Sequence, residues 1–195
     1  TGFKRNQQGD IQVNADGQVM QIELPTPRLV GSVLPKAHLG LNNTFSWKGL
    51  ECRLLITARL GGVCVSQTQA FMDSYGVSQK TAVQRDNGGV VVGSQYVPTE
   101  RYYTVVGGET PIWDEYVYDA SNARIKEAYL SYTFDKLIRG AKVSVALTAR
   151  NLLMLYCKAP FDPEATPSTD IYYQGFDYFM QPSQRSLGFS INVKL

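Results

Sequence analysis

Hydrophobic and polar residues alternate one by one along several separate stretches of this chain. Across Lys36–Lys48, Leu39, Leu41, Phe45 and Trp47 share one phase, opposite Gly40, Asn42, Thr44 and Ser46, with Asn43 the exception on the apolar side. Leu50–Cys64 sets Leu50, Cys52, Leu54, Ile56, Ala58 and Leu60 against Glu51, Arg53, Thr57 and Arg59. Ala128–Phe134 carries Leu130, Tyr132 and Phe134 opposite Tyr129, Ser131 and Thr133, and Ala141–Leu152 carries Val143, Val145, Leu147 and Ala149 opposite Ser144, Ala146, Thr148 and Arg150. In Arg185–Leu195, Leu187, Phe189, Ile191, Val193 and Leu195 alternate with Ser186, Gly188, Ser190, Asn192 and Lys194 up to the last residue. Successive side chains of a strand point to opposite faces, so each stretch predicts a strand with one greasy and one wet wall.

The connections are as informative as the strands. Lys48-Gly49 predicts a tight turn and Asp135–Gly140 a short one, whereas residues 1–35, 65–118 and 153–184 are long. Short and long links therefore alternate, as they do between the periplasmic turns and extracellular loops of outer-membrane barrels. Compact soluble sandwiches rarely contain structureless loops longer than about 12–15 residues. The expectation is an all-β, antiparallel transmembrane β-barrel, with membrane-spanning strands near 36–48, 50–64, 124–135, 141–152 and 185–195. Phe45, Trp47, Tyr132 and Phe134, on the apolar phase before the two short turns, are expected to form the inner aromatic girdle. Upstream of Ala128 the phase slips, with Arg124, Lys126 and Glu127 on both faces; Tyr116–Glu127 reads as a strand rising beyond the membrane with a bulge near Lys126. Asp10–Asn14 and Gln18–Leu24, around Ala15-Asp16-Gly17, read as a hairpin inside a loop.

Composition narrows the function classes. The net charge is +2, from 19 basic and 17 acidic residues mixed along the chain, so no basic block points to nucleic acid. No apolar run approaches the roughly 18 residues of a membrane helix. Twelve tyrosines suit strands, interfaces and sugar contacts better than a helical core. Cys52, Cys64 and Cys157 are scattered and odd in number, without CxxC spacing, and His38 reads as a rim or strand-end residue; neither a disulfide framework nor a metal or other cofactor is expected. The chain lacks a nucleophile elbow, an HExxH and a phosphate-cradling glycine loop, so catalysis is not expected. Asp119, Asp162 and Glu164 give no sign of a carboxylate pair for acid–base work and read as turn and rim residues, and Asp86-Asn87-Gly88-Gly89 reads as a turn.

Several segments together carry a family likeness. Asp119–Phe134 (DASNARIKEAYLSYTF) resembles the "DASFVRLRNLTLGYTF" segment of SusC/RagA-type TonB-dependent outer-membrane transporters. In chain order, LGLNNTFSWK at Leu39–Lys48 resembles "WGLNNTFSYK", and RDNGGVVV at Arg85–Val92 resembles a family loop motif. VALTARNLL at Val145–Leu153 resembles the penultimate strand with its "GRNLF", PFDPE at Pro160–Glu164 resembles "GFDPE", and PSQRSLGFSINVKL at Pro182–Leu195 resembles "PxxRSYxFGLNVKF". Asn122 stands where the family has an aromatic, and Leu195 where it ends in Phe, part of the assembly signal of such barrels.

The resemblance implies the C-terminal segment of a larger barrel of about 22 strands, whose N-terminal plug and TonB-contacting segment lie outside the 195 residues. It implies an importer of glycans, or less often peptides, in the bacterial outer membrane, paired with a SusD-like lipoprotein and energised through the TonB complex. Ligand contacts are expected from loop aromatics: Tyr102, Tyr103, Trp113 and Tyr116 in one loop, and Tyr172, Tyr173, Phe176 and Tyr178 in another. On the lumen wall, Arg53, Arg59, Arg150 and Lys194 are expected to face plug carboxylates. Two rivals stand beside this reading: a soluble secreted β-sandwich that binds carbohydrate with its greasy faces turned inward, and a small complete barrel of about eight strands.

Overall fold

The computed structural model describes residues 1–26, 28–138, 140–165, 167 and 170–194, with backbone alone for 136–138. Leu195, the last member of the apolar phase, lies outside the described residues. The chain forms two compact units. One comprises Val33–Val63, Asp119–Ala165 and Gln181–Leu195; the other comprises Thr1–Ser32, Cys64–Tyr118 and Thr166–Met180.

The first unit is a five-stranded sheet of β1 (Ala37–Trp47), β2 (Leu50–Leu60), β3 (Asn122–Ile138), β4 (Ala141–Cys157) and β5 (Ser186–Lys194). Spatial order is β5-β4-β3-β2-β1, and every neighbouring pair is antiparallel. Sequence neighbours are thus spatial neighbours throughout, even across the long 61–121 connection. Lys48 (φ 44°) and Gly49 (φ 86°) both adopt the left-handed conformation, as a two-residue type I′ hairpin requires. β3 runs on past the expected start of the second short link to Ile138, which pairs with Ala141.

Register makes the apolar phases of all five strands coincide. Trp47 lies opposite Leu50, Leu50 opposite Tyr132, Tyr132 opposite Val145 and Val145 opposite Ile191. Phe45, Cys52, Leu130, Leu147 and Phe189 form the next row. Residues paired across antiparallel strands share a face, so these rows build one continuous apolar surface. Leu39, Leu41, Phe45, Trp47, Leu130, Leu147, Leu187, Phe189, Ile191 and Val193 on it are between 46 and 76% exposed. Tyr132 and Phe134 meet edge to face, with ring centroids 4.6 Å apart.

The expected bulge is present at Lys126. Leu55 pairs with Glu127 but Ile56 with Ile125, so Lys126 has no partner position on β2. On β4 the register likewise jumps from Arg150 opposite Glu127 to Leu153 opposite Ile125, with Asn151 in the left-handed region at φ 48°. The extra residue returns Ile125 to the apolar face beside Ile56 and turns Arg124 to the other side. Tyr116–Glu127 is not one strand, however: Trp113–Tyr116 is a turn of 3₁₀ helix and Val117–Asp119 a separate short strand.

Among its described residues the second unit holds three eight-residue helices where the sequence suggested only loop: α1 (Gln67–Ser74), α2 (Gln79–Asp86) and α3 (Thr99–Val106). Ser66 and Ser78 cap α1 and α2, their hydroxyls accepting from the amides of Gln69 (3.0 Å) and Thr81 (3.1 Å). The Asp86–Gly89 turn is the C-terminus of α2, closed by Gly88 and Gly89 amides donating to Arg85 and Gln84 carbonyls. Val19, Ala70, Val92, Val97, Tyr102, Tyr103, Val106, Ile112 and Tyr116 form its core. The hairpin expected around Ala15-Asp16-Gly17 is reduced to a bridge between Val13 and Val19 closed at Asn14–Gln18.

Gly49 tests the first hairpin. A Cβ there would stand 2.8 Å from the Thr133 carbonyl oxygen in a backbone conformation that disfavours L side chains. Gly49→Ala is expected to cost about 1–2 kcal/mol, read as a lowered denaturant midpoint.

Candidate functional site

On the wet face of the sheet, side chains from β1 to β5 line a groove of 450 Å³, among them Asn42, Arg53, Glu127, Tyr129, Thr148 and Arg150. Arg53 Nε donates to Glu51 Oε1 at 2.6 Å, and its guanidinium lies 4.8 Å from the centre of the Tyr129 ring. Arg150 Nε stands 3.8 Å from Glu127 Oε1, a loose and exposed pair. The other two expected lumen cations are elsewhere. Arg59 Nη2 donates to the Val33 carbonyl at 2.7 Å, and Lys194 is exposed opposite Lys142. The structure therefore brings Arg53 and Arg150 together in one groove and leaves Arg59 and Lys194 outside it.

The loop aromatics divide by burial. Tyr102, Tyr103 and Tyr116 are core residues. Burial pushes the Tyr102 hydroxyl up to about 12, with a smaller push from the Glu115 charge; burial likewise dominates the rise at Tyr103 and Tyr116, with Asp73 adding to it. All three stay neutral, and their rings pack the unit. Trp113 and Phe176 are half-buried against each other, with centroids 6.0 Å apart. Tyr172, Tyr173 and Tyr178 are exposed, Tyr172 at 87%. Phe179, which the sequence did not single out, joins them: it is exposed, sits at φ 52°, contacts Phe71 and Tyr178 and donates its amide to Thr68 Oγ1 at 2.7 Å. A bulky residue at positive φ is uncommon, and here that amide bond and two ring contacts hold it.

The three acidic residues read as turn and rim residues all have cationic partners. Asp119 Oδ2 accepts from Lys158 Nζ at 2.7 Å and its Oδ1 from the Ser121 amide; these bonds hold the carboxyl down to about 2. Asp162 accepts from Arg124 through both oxygens, Oδ1 from Nη2 at 2.6 Å and Oδ2 from Nη1 at 3.2 Å. Oδ1 also accepts from the Glu164 amide (3.0 Å) and Oδ2 from the Ser183 amide (3.2 Å), and Glu164 Oε1 lies 3.7 Å from Arg124 Nη2. The side chains of Arg124 and Asp162 are 4% and 7% exposed. Burial alone would raise the Asp162 pKa, but the Arg124 guanidinium and the two amides bring it down to about 2. Pairing of residues 38 positions apart was invisible to local pattern; the available signal was that both lie in segments that carry the family likeness.

Among the described residues no group of His, Cys, Asp and Glu could hold a metal ion, and no disulfide joins the cysteines. His38 is an exposed residue at the start of β1.

No family model matches the chain. Over 195 residues, 95% of this chain and 19% of the relative, it is 25% identical to "TonB-dependent receptor P3" of Formosa agariphila. Its fold is similar to that of the RagAB peptide importer. In the open-open state the TM-score is 0.60 at 19% identity, and in the closed-closed state 0.57 at 20% identity. Each match covers 95% of this chain and 20% of that one. The chain thus spans about a fifth of the length of the proteins it matches. The likeness to SusC/RagA-type TonB-dependent transporters read from the sequence segments is shown at the level of sequence by the receptor and of fold by the importer.

The depressed Asp162 pKa fixes a pH window. A carboxyl held lower in the folded than in the unfolded state stabilises fully above its unfolded pKa of about 4 and loses that contribution as pH falls through its folded value. The unfolding midpoint of the full-length protein is expected to fall between about pH 4 and pH 2 by more in the parent than in Asp162→Asn; parallel curves for the two proteins would contradict this.

Proposed function

We propose that this chain is a portion of the barrel wall, with its extracellular segments, of an outer-membrane TonB-dependent importer. The observation that carries the reading is the continuous apolar face of β1–β5, exposed over most of its extent with Val143 buried, and backed by a polar, charged face. In this setting the apolar face meets lipid, and the backs of the strands, with Arg53 and Arg150, face the lumen. β3 and β4, at 17 residues each, exceed the roughly 9–11 that a tilted strand needs to cross hydrocarbon and so project beyond it. The open edges of β1 and β5 are the places where further strands of the same barrel pair.

The rest of the proposal comes from the likeness. The importer works with a SusD-like lipoprotein, takes energy from the TonB complex through parts outside these residues, and carries oligosaccharides or peptides. Tyr172, Tyr173 and Tyr178, with the half-buried Trp113 and Phe176, supply flat faces for sugar rings or peptide side chains. Arg53 and Arg150 face carboxylates of the plug. A soluble carbohydrate-binding sandwich would need Leu147, Phe189 and their neighbours covered, and they are exposed.

Membrane placement is tested by charge on either face. In the full-length protein, Leu147→Lys is expected to cost about 2–4 kcal/mol of barrel stability in a bilayer, and Thr148→Lys on the opposite face far less. The amount of folded, heat-modifiable protein in the outer membrane reads the difference; equal amounts of the two variants would overturn the lipid-facing assignment.

A further inference from the structure

Asp162 has an unusual set of bonds. Each of its oxygens takes one N–H from Arg124 and one from the backbone, at Glu164 on one side and at Ser183 on the other. Residues 164 and 183 are the two ends of a long excursion, so a single carboxylate gathers both the exit and the return of residues 165–182. A second bond reinforces the return: Asn151 Nδ2, at the β4 irregularity, donates to the Gln184 carbonyl at 3.2 Å. The exit is held by Cys157, whose thiol reaches the carbonyls of Ala159 and Phe161. Arg124 is itself placed by the Lys126 bulge, which turns it off the apolar face, and by Asn122 Oδ1 at 3.4 Å from its Nε.

We infer that Asp162 is a clasp that gathers the two ends of the 165–182 segment, at Glu164 and Ser183, beside Arg124, and that Arg124 and Asp162 are positioning residues for the aromatic contacts of that segment. An apolar plug could fill the same volume, and such replacements of buried ion pairs are often neutral for stability. An apolar plug could not, however, accept two amide N–H groups that lie 19 positions apart in the chain. The guanidinium fork fixes the carboxylate plane, and that plane aims the remaining lone pairs at the two amides. The segment so closed carries Tyr172, Tyr173, Phe176 and Tyr178, and the inference rests on their role as ligand contacts.

The test uses the full-length transporter in its own outer membrane, with Asp162→Asn, Arg124→Gln and Arg124→Lys. Chymotrypsin added to intact cells reads closure of the segment by the rate of cleavage after Tyr172 and Tyr173. A fluorescent oligopeptide digest and a fluorescent oligosaccharide mixture read binding. Asp162→Asn and Arg124→Gln are expected to raise cleavage about tenfold, equivalent to a clasp weakened by about 1.4 kcal/mol. They are also expected to raise the half-saturating probe concentration severalfold at unchanged maximal binding. Arg124→Lys, which keeps the charge but loses the fork, is expected to fall between them and the parent. Should Asp162→Asn not assemble, Arg124→Lys carries the test. Unchanged cleavage in the assembled variants would overturn the clasp, and faster cleavage at unchanged half-saturation would overturn the positioning role. A parent protein that binds neither probe would count against the ligand-contact reading alone, since cleavage decides the clasp without it.

Discussion

A strand with one apolar face must pair its amides and carbonyls with the next strand in the one register that keeps that face continuous. That requirement makes pairing register the constraint on which the rest of this structure depends. With Trp47 against Leu50 and Leu50 against Tyr132, all five apolar phases merge into one surface. A slip of a single position anywhere would interleave Arg53 or Glu127 with leucines. The Lys48-Gly49 turn sets this register for β1 and β2, since two residues in left-handed conformation permit only one alignment of the flanking strands.

The same constraint explains the irregularity at Lys126. A perfectly regular β3 would place Ile125 beside Glu127 on the polar side and Arg124 among the apolar residues. One unpaired residue exchanges them, and the exchanged arginine becomes the anchor of Asp162. Local backbone geometry and a long-range ion pair are therefore parts of one arrangement. Pairing with the guanidinium also makes the burial of two charges tolerable, because every lone pair of the carboxylate is occupied.

Period-two patterning made the sheet legible in the sequence because one apolar and one polar face are written directly into successive residues. The bulge was legible for the same reason, as a local break in phase at Arg124–Glu127. The helices α1, α2 and α3 were not, since each is only eight residues long and is held by tertiary packing around Tyr102, Tyr103 and Tyr116 instead of by its own periodicity. Candidate aromatics could be named from sequence, but not sorted: adjacent Tyr102 and Tyr103 are buried while adjacent Tyr172 and Tyr173 are exposed, a difference set by neighbours distant in the chain. The partners of Asp119 and Asp162 were hidden likewise, both lying more than thirty positions away.

The bulge at Lys126 also bears on how such a chain can change over evolutionary time. Below it, inserting or deleting one residue would turn an entire strand inside out. Above it, the ladder has already been rephased, and the outlying chain is fastened by individual side chains instead of by continuous alternation. The segments beyond it are thereby freed to be lengthened, shortened or exchanged as cassettes, while the sheet they leave from is inherited undisturbed.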